Sequence, residues 1–245
     1  MKKIIYCLFS ILPMAGMTQT LAPTQADIAS TNMDNLSTSS TLATYDMSEK
    51  DIKGSRYFSE EYQEGELWTT KETHYGSELL YRFDGIENSV QIKYKDSGKE
   101  VLLLPSNIKR LDLKINGQIT TFVRVPAVDQ ANTDRLYQVI YLSNNAKVVK
   151  LFKKKLLHTT TESQGFDPTV NQIEYKDLST YYINVGLRNN DYTPFSPTQK
   201  GLIKAFPDKE TKIKQVLASG KYKKNLTDVA MGEVLKLLED MTGKN

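Results

Sequence analysis

The chain has 245 residues, of which 32 are basic and 29 are acidic, and it contains one cysteine and two histidines. A charge so nearly balanced argues against a nucleic-acid-binding domain, because such domains usually carry a strong basic excess on one face. The lone Cys7 and the well-separated His74 and His158 give no Cys/His cluster with metal-ligand spacing. We therefore predict no metal site and no nucleic-acid partner.

The first 18 residues predict a secretory signal peptide. Lys2 and Lys3 precede an apolar run over residues 4–17 that ends in small side chains. The run is shorter than the roughly 20 residues that a membrane helix needs, and no other run approaches that length, so we predict no transmembrane segment. Loss of the leader leaves 30 basic and 29 acidic residues, a net charge of +1.

Export is therefore the expected localisation, in the periplasm or at the cell surface. The leader contains Cys7, so the mature chain has no cysteine. An exported chain without disulfides fits a bacterial envelope better than a eukaryotic secretory route.

Residues 19–53 predict a disordered tether. Over residues 19–46, 10 of 28 residues are Ser or Thr and none is basic. Such a segment cannot bury enough apolar surface to offset the entropy lost on ordering. We expect a single β-rich domain over residues 54–245, long enough for a substantial core.

The middle of the chain has the period-two alternation of β-strands. Residues 90–94 and 111–115 alternate apolar and polar side chains, and Leu136–Leu142 is rich in aromatic and branched residues. Asn116 and Gly117 form the dipeptide preferred in a type I′ hairpin turn, because both tolerate positive φ. This stretch predicts consecutive antiparallel hairpins.

A lysine-rich run, Ala146–His158, follows the strand at Leu136–Leu142 and is interpreted as its return strand. In that interpretation Val149 and Leu151 face one side and Val148 and Phe152 the other, while the lysines point to solvent and protect an exposed sheet edge. An amphipathic helix that binds an anionic surface is the alternative.

Helical spacing replaces the strand pattern in a tail over residues 196–242. Ser196 begins a capping box that Gln199 completes. Asp208 can cap a second helix, and Thr227 or Asp228 can begin a third. We expect these three short helices to pack on the sheet. The predicted fold class is α+β: a mostly antiparallel sheet of about eight to ten strands, as a sandwich or half-barrel, with three short C-terminal helices.

Four segments carry a resemblance to known sequences: residues 54–58, 80–94, 136–140 and 197–217. In pattern and order they resemble a loose set of uncharacterised exported proteins of Bacteroidota type. That set is β-rich with a short helical tail. The resemblance implies the same fold and compartment, and it brings no activity and no functional residues.

Familiar catalytic motifs do not occur in the sequence. It has no H-E-x-x-H pair, no G-x-S-x-G elbow and no phosphate-binding glycine loop. We predict a non-enzymatic protein without a cofactor. A carboxylate-type hydrolase is a less favoured alternative, since that chemistry requires only two carboxyl groups at a suitable distance.

Aromatic residues supply the candidate ligand-binding positions. The chain has 14 tyrosines and one tryptophan, and exposed aromatic rings beside polar groups can stack on sugars or pack against a peptide. We select Trp68, Tyr175 and Tyr192 as candidate binding residues. The sequence favours a structural or protein-interaction role in the envelope, with an envelope protein as partner; the alternative is a glycan- or small-ligand-binding module with a tyrosine-lined surface.

Overall fold

The computed structural model describes residues 52–161, 170–186, 191–218, 222 and 225–240. The predicted signal peptide and nearly all of the predicted tether lie outside these residues, as do the last residues of the helical tail. Ile52 and Lys53, which the sequence pattern assigns to the end of the tether, form a short strand. Within the described residues, no helix is both long and apolar enough to cross a membrane.

The described residues form fourteen strands and three α-helices. The strands are β1 (Ile52–Lys53), β2 (Gly65–Thr69), β3 (His74–Tyr75), β4 (Leu79–Asp84), β5 (Ser89–Tyr94), β6 (Glu100–Leu103), β7 (Ile108–Ile115), β8 (Gln118–Arg124), β9 (Leu136–Leu142), β10 (Ala146–Leu151), β11 (Lys154–Thr161), β12 (Val170–Asp177), β13 (Thr180–Val185) and β14 (Thr193–Phe195). The helices are α1 (Gln199–Ala205), α2 (Glu210–Ala218) and α3 (Asp228–Asp240). Short 3-10 turns occur at Pro105–Asn107 and Pro207–Lys209.

The α+β class is confirmed, since the strands are mostly antiparallel and the helices follow them near the C-terminus. A long sheet has the order β14-β13-β10-β9-β8-β7-β2-β3, and two smaller sheets have the orders β4-β5-β6 and β1-β12-β11. Only the β1–β12 pairing is parallel among the described strands. The strand number exceeds the expected eight to ten partly because several strands have only two or three residues.

The hairpins occur where the turn residues predict them. Asn116 and Gly117 have φ values of 50° and 78° and connect β7 to β8. Between β9 and β10, the Ser143 hydroxyl accepts hydrogen bonds from the backbone N–H groups of Asn145 and Ala146 at 3.1 and 3.0 Å. Side-chain acceptance of backbone N–H groups stabilises such turns.

One face of the long sheet is covered by two different elements. Toward β8, Phe122 stacks on Phe83 of the β4–β6 sheet with ring centroids 4.5 Å apart. Toward β10 and β13, Val148 and Ile183 pack into a buried cluster with all three helices. The cluster includes Leu202 of α1, Ile213 of α2 and Leu235 of α3. The predicted packing of the tail on the sheet is therefore confirmed.

The lysine-rich run divides between two sheets. Ala146–Leu151 forms β10, between β9 and β13 in the long sheet, and Lys154–Thr161 forms β11 in another sheet. The predicted return strand is confirmed for Ala146–Leu151, where Val149 and Leu151 share one face, and is wrong from Lys154 onward. The prediction of solvated lysines that guard an edge is wrong for Lys150, whose side chain is 13% exposed and is paired with Asp228 at 3.0 Å. A central strand has no edge to protect.

The first helix begins later than the capping box predicts. The N-cap residue is Thr198, whose hydroxyl accepts a hydrogen bond from the backbone N–H of Gly201 at 3.1 Å, and not Ser196. Pro197 therefore precedes the helix. The third helix begins as predicted, with Thr227 accepting from the N–H of Ala230 at 3.3 Å.

Candidate ligand-binding groove

The other face of the long sheet carries the candidate site. Directly paired residues of neighbouring strands share a face, so the register identifies which side chains lie together. A continuous row crosses five strands: His74, Trp68, Arg110, Val123 and Tyr137. The row combines aromatic, cationic and apolar side chains.

An open groove of about 600 Å³ lies along this face. Strands β7 to β10 supply most of it, and the segment after β8 and Tyr192 supply the remainder. The groove residues are Arg110, Thr121, Val123, Arg124, Val125, Pro126, Ala127, Val139, Leu142, Lys147, Val149 and Tyr192. Its volume is in the range of about 300–1,000 Å³ that is typical of small-ligand sites.

The groove has an apolar floor because β8, β9 and β10 present branched side chains to it. Val149 pairs directly with Val139 across β9 and β10. Tyr137 belongs to the same buried cluster as Val149, and its ring meets that of Tyr182 edge-on at 6.0 Å. Burial raises the pKa of Tyr137 to about 12 and also raises the pKa of Tyr192. Both phenols are therefore neutral near pH 7.

Three cations line the groove, and two of them have a carboxylate partner. Arg110 donates to both carboxylate oxygens of Asp112, at 2.9 and 2.7 Å, and this hydrogen bonding is the main cause that raises the pKa of Arg110. Arg124 lies 3.2 Å from Asp134. The Lys147 side chain forms no hydrogen bond or ion pair with any residue in the described ranges. The groove therefore carries a local positive charge.

Of the three residues that the sequence selects, Tyr192 lines the groove. Trp68 lies next to it, and its ring stacks on His74 at 4.8 Å while the Arg110 guanidinium lies 4.9 Å from the ring centroid. Because His74 and Arg110 belong to the strands on either side of β2, both ring faces are already occupied. Tyr175 lies on β12, in a different sheet, and does not line the groove.

Sequence reasoning missed Arg110, Lys147 and the valines of the floor. Their strands were recognised, and Val149 was assigned to the correct side. The missing information was strand order, since residues 110, 147 and 192 become neighbours only when β7, β8, β9 and β10 lie side by side.

The histidines and carboxylates lie outside the groove. His74 is half-exposed and its Nε2 lies 3.5 Å from a Glu66 oxygen. His158 is exposed on β11. Within the part of the chain that the structure describes, no three His, Cys, Asp or Glu side chains come together in a geometry that could hold a metal ion.

Comparison with known proteins found no matching family model, no matching curated protein and no matching solved structure.

Proposed function

We propose that this protein is a non-enzymatic binding module and that its ligand occupies the groove on the open face of the long sheet. The observation that carries the proposal is the combination of an apolar floor with cationic side chains along the groove, in a volume of about 600 Å³. Ligand sites are typically concave, mostly apolar and supplied with a few polar groups that orient the ligand. This proposal adopts the small-ligand alternative and keeps Tyr192 as a contact residue.

The rigid position of the floor supports the same conclusion. Val139 and Val149 belong to strands that are hydrogen-bonded on both sides. Sites built on strands hold their contact residues more precisely than sites built on loops. The ligand would therefore meet a surface formed before binding.

A groove-filling variant tests the proposal. Val139→Trp places a bulky side chain in the groove on a strand that favours aromatic residues. We expect it to abolish the fluorescence increase of an apolar dye that the unmodified protein binds. Ile119→Trp is the matched control, because Ile119 is 62% exposed and lies outside the groove. Equal dye binding in both variants would show that the ligand does not enter the groove.

A protein partner is a second candidate, and the open edge of β11 favours it. This eight-residue strand pairs with β12 on one side; on the other side the N–H of its first residue, Lys154, is bonded to the Gly85 carbonyl at 2.8 Å, and no other described strand pairs with it. A peptide strand can add to such an edge through main-chain hydrogen bonds.

Proline variants at Lys155 and Leu156 test strand addition. Neighbouring N–H groups of a strand point in opposite directions, so one variant removes a bond to β12 and the other blocks only the outer edge. The variant that blocks only the outer edge should unfold at the same thermal midpoint as the unmodified chain. In a pull-down from envelope extract, it should no longer retain an envelope protein. If it retains the partner as well as the unmodified chain does, the edge is not the interface.

We also propose that the protein acts after export, in the periplasm or at the cell surface. The support is the predicted leader over residues 1–18. N-terminal peptide sequencing of protein recovered from the cell envelope is expected to begin near Gln19. Material that retains Lys2 and Lys3 in the cytosol would contradict this proposal.

A further inference from the structure

The two ends of the groove differ in charge. Register places Lys147, Leu142 and Asn184 together at the end near the β9–β10 turn. Arg110 lies at the other end, three strands away, and is paired with Asp112. A ligand charge would therefore find an uncompensated partner only at the Lys147 end.

The backbone of Lys147 is fixed because it lies on an inner strand, so its side chain starts from a defined position beside the groove. β10 pairs with β9 on one side and β13 on the other. Asn184, directly opposite Lys147, is only 2% exposed, and its Oδ1 atom has no hydrogen-bond partner within the described residues. Buried polar atoms without partners are rare in folded proteins. Asn184 is buried and does not line the groove, so Lys147 supplies the polar group at this end.

Between the two ends the groove is apolar. From Lys147 the floor continues through Val149 and Val139, which pair directly, to Val123 on β8. These branched side chains offer no hydrogen bonds, so a sugar or a polar peptide would lose hydration along this path without compensation. An alkyl chain would gain from the same burial.

We propose that the ligand is a single-chain amphipathic anion, an alkyl carboxylate whose head group pairs with Lys147 and whose chain lies over Val149 and Val139. This inference rests on the proposed binding function and specifies the ligand class. Charge complementarity selects the anion, since Lys147 is the groove cation that has no carboxylate partner among the described residues.

Calorimetric titration of the purified protein with decanoate and with decan-1-ol tests the inference. Both ligands have the same chain length, and only decanoate carries a charge. We expect decanoate to bind about tenfold more tightly, as a charge-assisted contact allows, and the difference to shrink at high salt.

Lys147→Met is the test variant, since it keeps most of the apolar stem and removes the charge. This variant should bind decanoate about tenfold more weakly than the unmodified protein does, and its affinity for decan-1-ol should be unchanged. Lys114→Met is the matched control: Lys114 lies on the same face, outside the groove, and is 56% exposed. This control should bind both ligands as the unmodified protein does.

The outcomes separate the two proposals. Equal binding of decanoate and decan-1-ol, or equal binding of decanoate by the Lys147→Met and Lys114→Met variants, overturns the assignment of the anion and leaves the groove proposal intact. Absence of binding for both ligands, together with dye binding that Val139→Trp does not affect, overturns both proposals.

Discussion

Replacement of Lys150 by methionine should destabilise the protein through loss of a contact between the sheet and α3. The Lys150 ammonium lies 3.0 Å from a carboxylate oxygen of Asp228, and the two side chains are 13% and 25% exposed. The Tyr181 hydroxyl donates to the same carboxylate at 2.5 Å. Methionine preserves most of the apolar stem and removes only the charge.

The expected loss lies between two limits. An exposed ion pair contributes roughly 0.2–1 kcal/mol, whereas removal of one partner from a fully buried pair costs about 3–5 kcal/mol. The Lys150–Asp228 pair is partly buried, and Asp228 keeps its hydrogen bond from Tyr181. We therefore expect the free energy of unfolding to fall by about 1–2 kcal/mol, and the thermal midpoint by about 2–8 °C for a domain of this size.

Urea unfolding of Lys150→Met, Asp228→Asn and the double variant measures the coupling between the two side chains. Lys147→Met is the control on the same strand, because Lys147 faces the groove, and its loss should change stability by less than about 0.5 kcal/mol. If both lysine variants unfold at the same urea concentration, Lys150 is a solvated lysine and the assigned role of the pair is wrong.

Three further changes have defined outcomes. Burial raises the pKa of Tyr137 above its ordinary value of 10.0 to about 12. The contribution of this phenol to stability is therefore complete below pH 10 and is lost toward pH 12. The thermal midpoint should fall over that pH range, and it should fall less in the Tyr137→Phe variant. Gly65→Ala would place a Cβ atom 2.1 Å from the Asp112 carbonyl oxygen and should cost about 1–3 kcal/mol, whereas Gly76→Ala, with its nearest atom at 3.8 Å, should be nearly neutral. Thr198→Ala removes the cap of α1 and should cost about 1 kcal/mol in urea unfolding, whereas Thr198→Ser should not.

Each of these predictions can fail separately. An identical alkaline profile for the unmodified protein and Tyr137→Phe would show that this phenol is not the group that titrates. Equal stabilities of the two glycine variants would contradict the close approach of β2 to β7. If the Thr198→Ala variant is as stable as Thr198→Ser, the Thr198 hydroxyl does not stabilise the start of α1.

Much of the local structure could be predicted because local patterns determine it. The β7–β8 hairpin followed from Asn116 and Gly117, whose backbone conformation few other dipeptides tolerate. Leu136–Leu142 was predicted with its observed bounds. The change to helical spacing in the tail also follows from side-chain periodicity alone.

Strand order could not be predicted from local sequence patterns. Lysine spacing is identical for an edge strand and for a central strand whose lysine meets a carboxylate from a distant helix. Lys150 and Asp228 are 78 residues apart in the chain, and no local pattern connects them. The predicted start of α1 was wrong for a related reason. Ser196 and Thr198 both carry a suitable hydroxyl, and packing decides which of the two residues caps the helix.

The candidate site could likewise be predicted only in part from the sequence. Tyr192 was selected for its residue type, since aromatic rings are common in binding sites, and it lines the groove. Trp68 has the same chemistry, yet its neighbours on β3 and β7 cover its ring. Composition identifies which side chains can bind; only the fold determines which of them remain accessible.

The placement of the helices has a consequence for the order of synthesis. Val148 and Ile183 come from the middle of the chain, but Leu235 and Leu238, which cover them, belong to α3. A growing polypeptide that already contains β10 and β13 cannot bury these strands until residues beyond 228 have emerged. Completion of this half of the core therefore waits until α3 has been synthesised, and an interrupted chain that lacks α3 should aggregate through its uncovered strands.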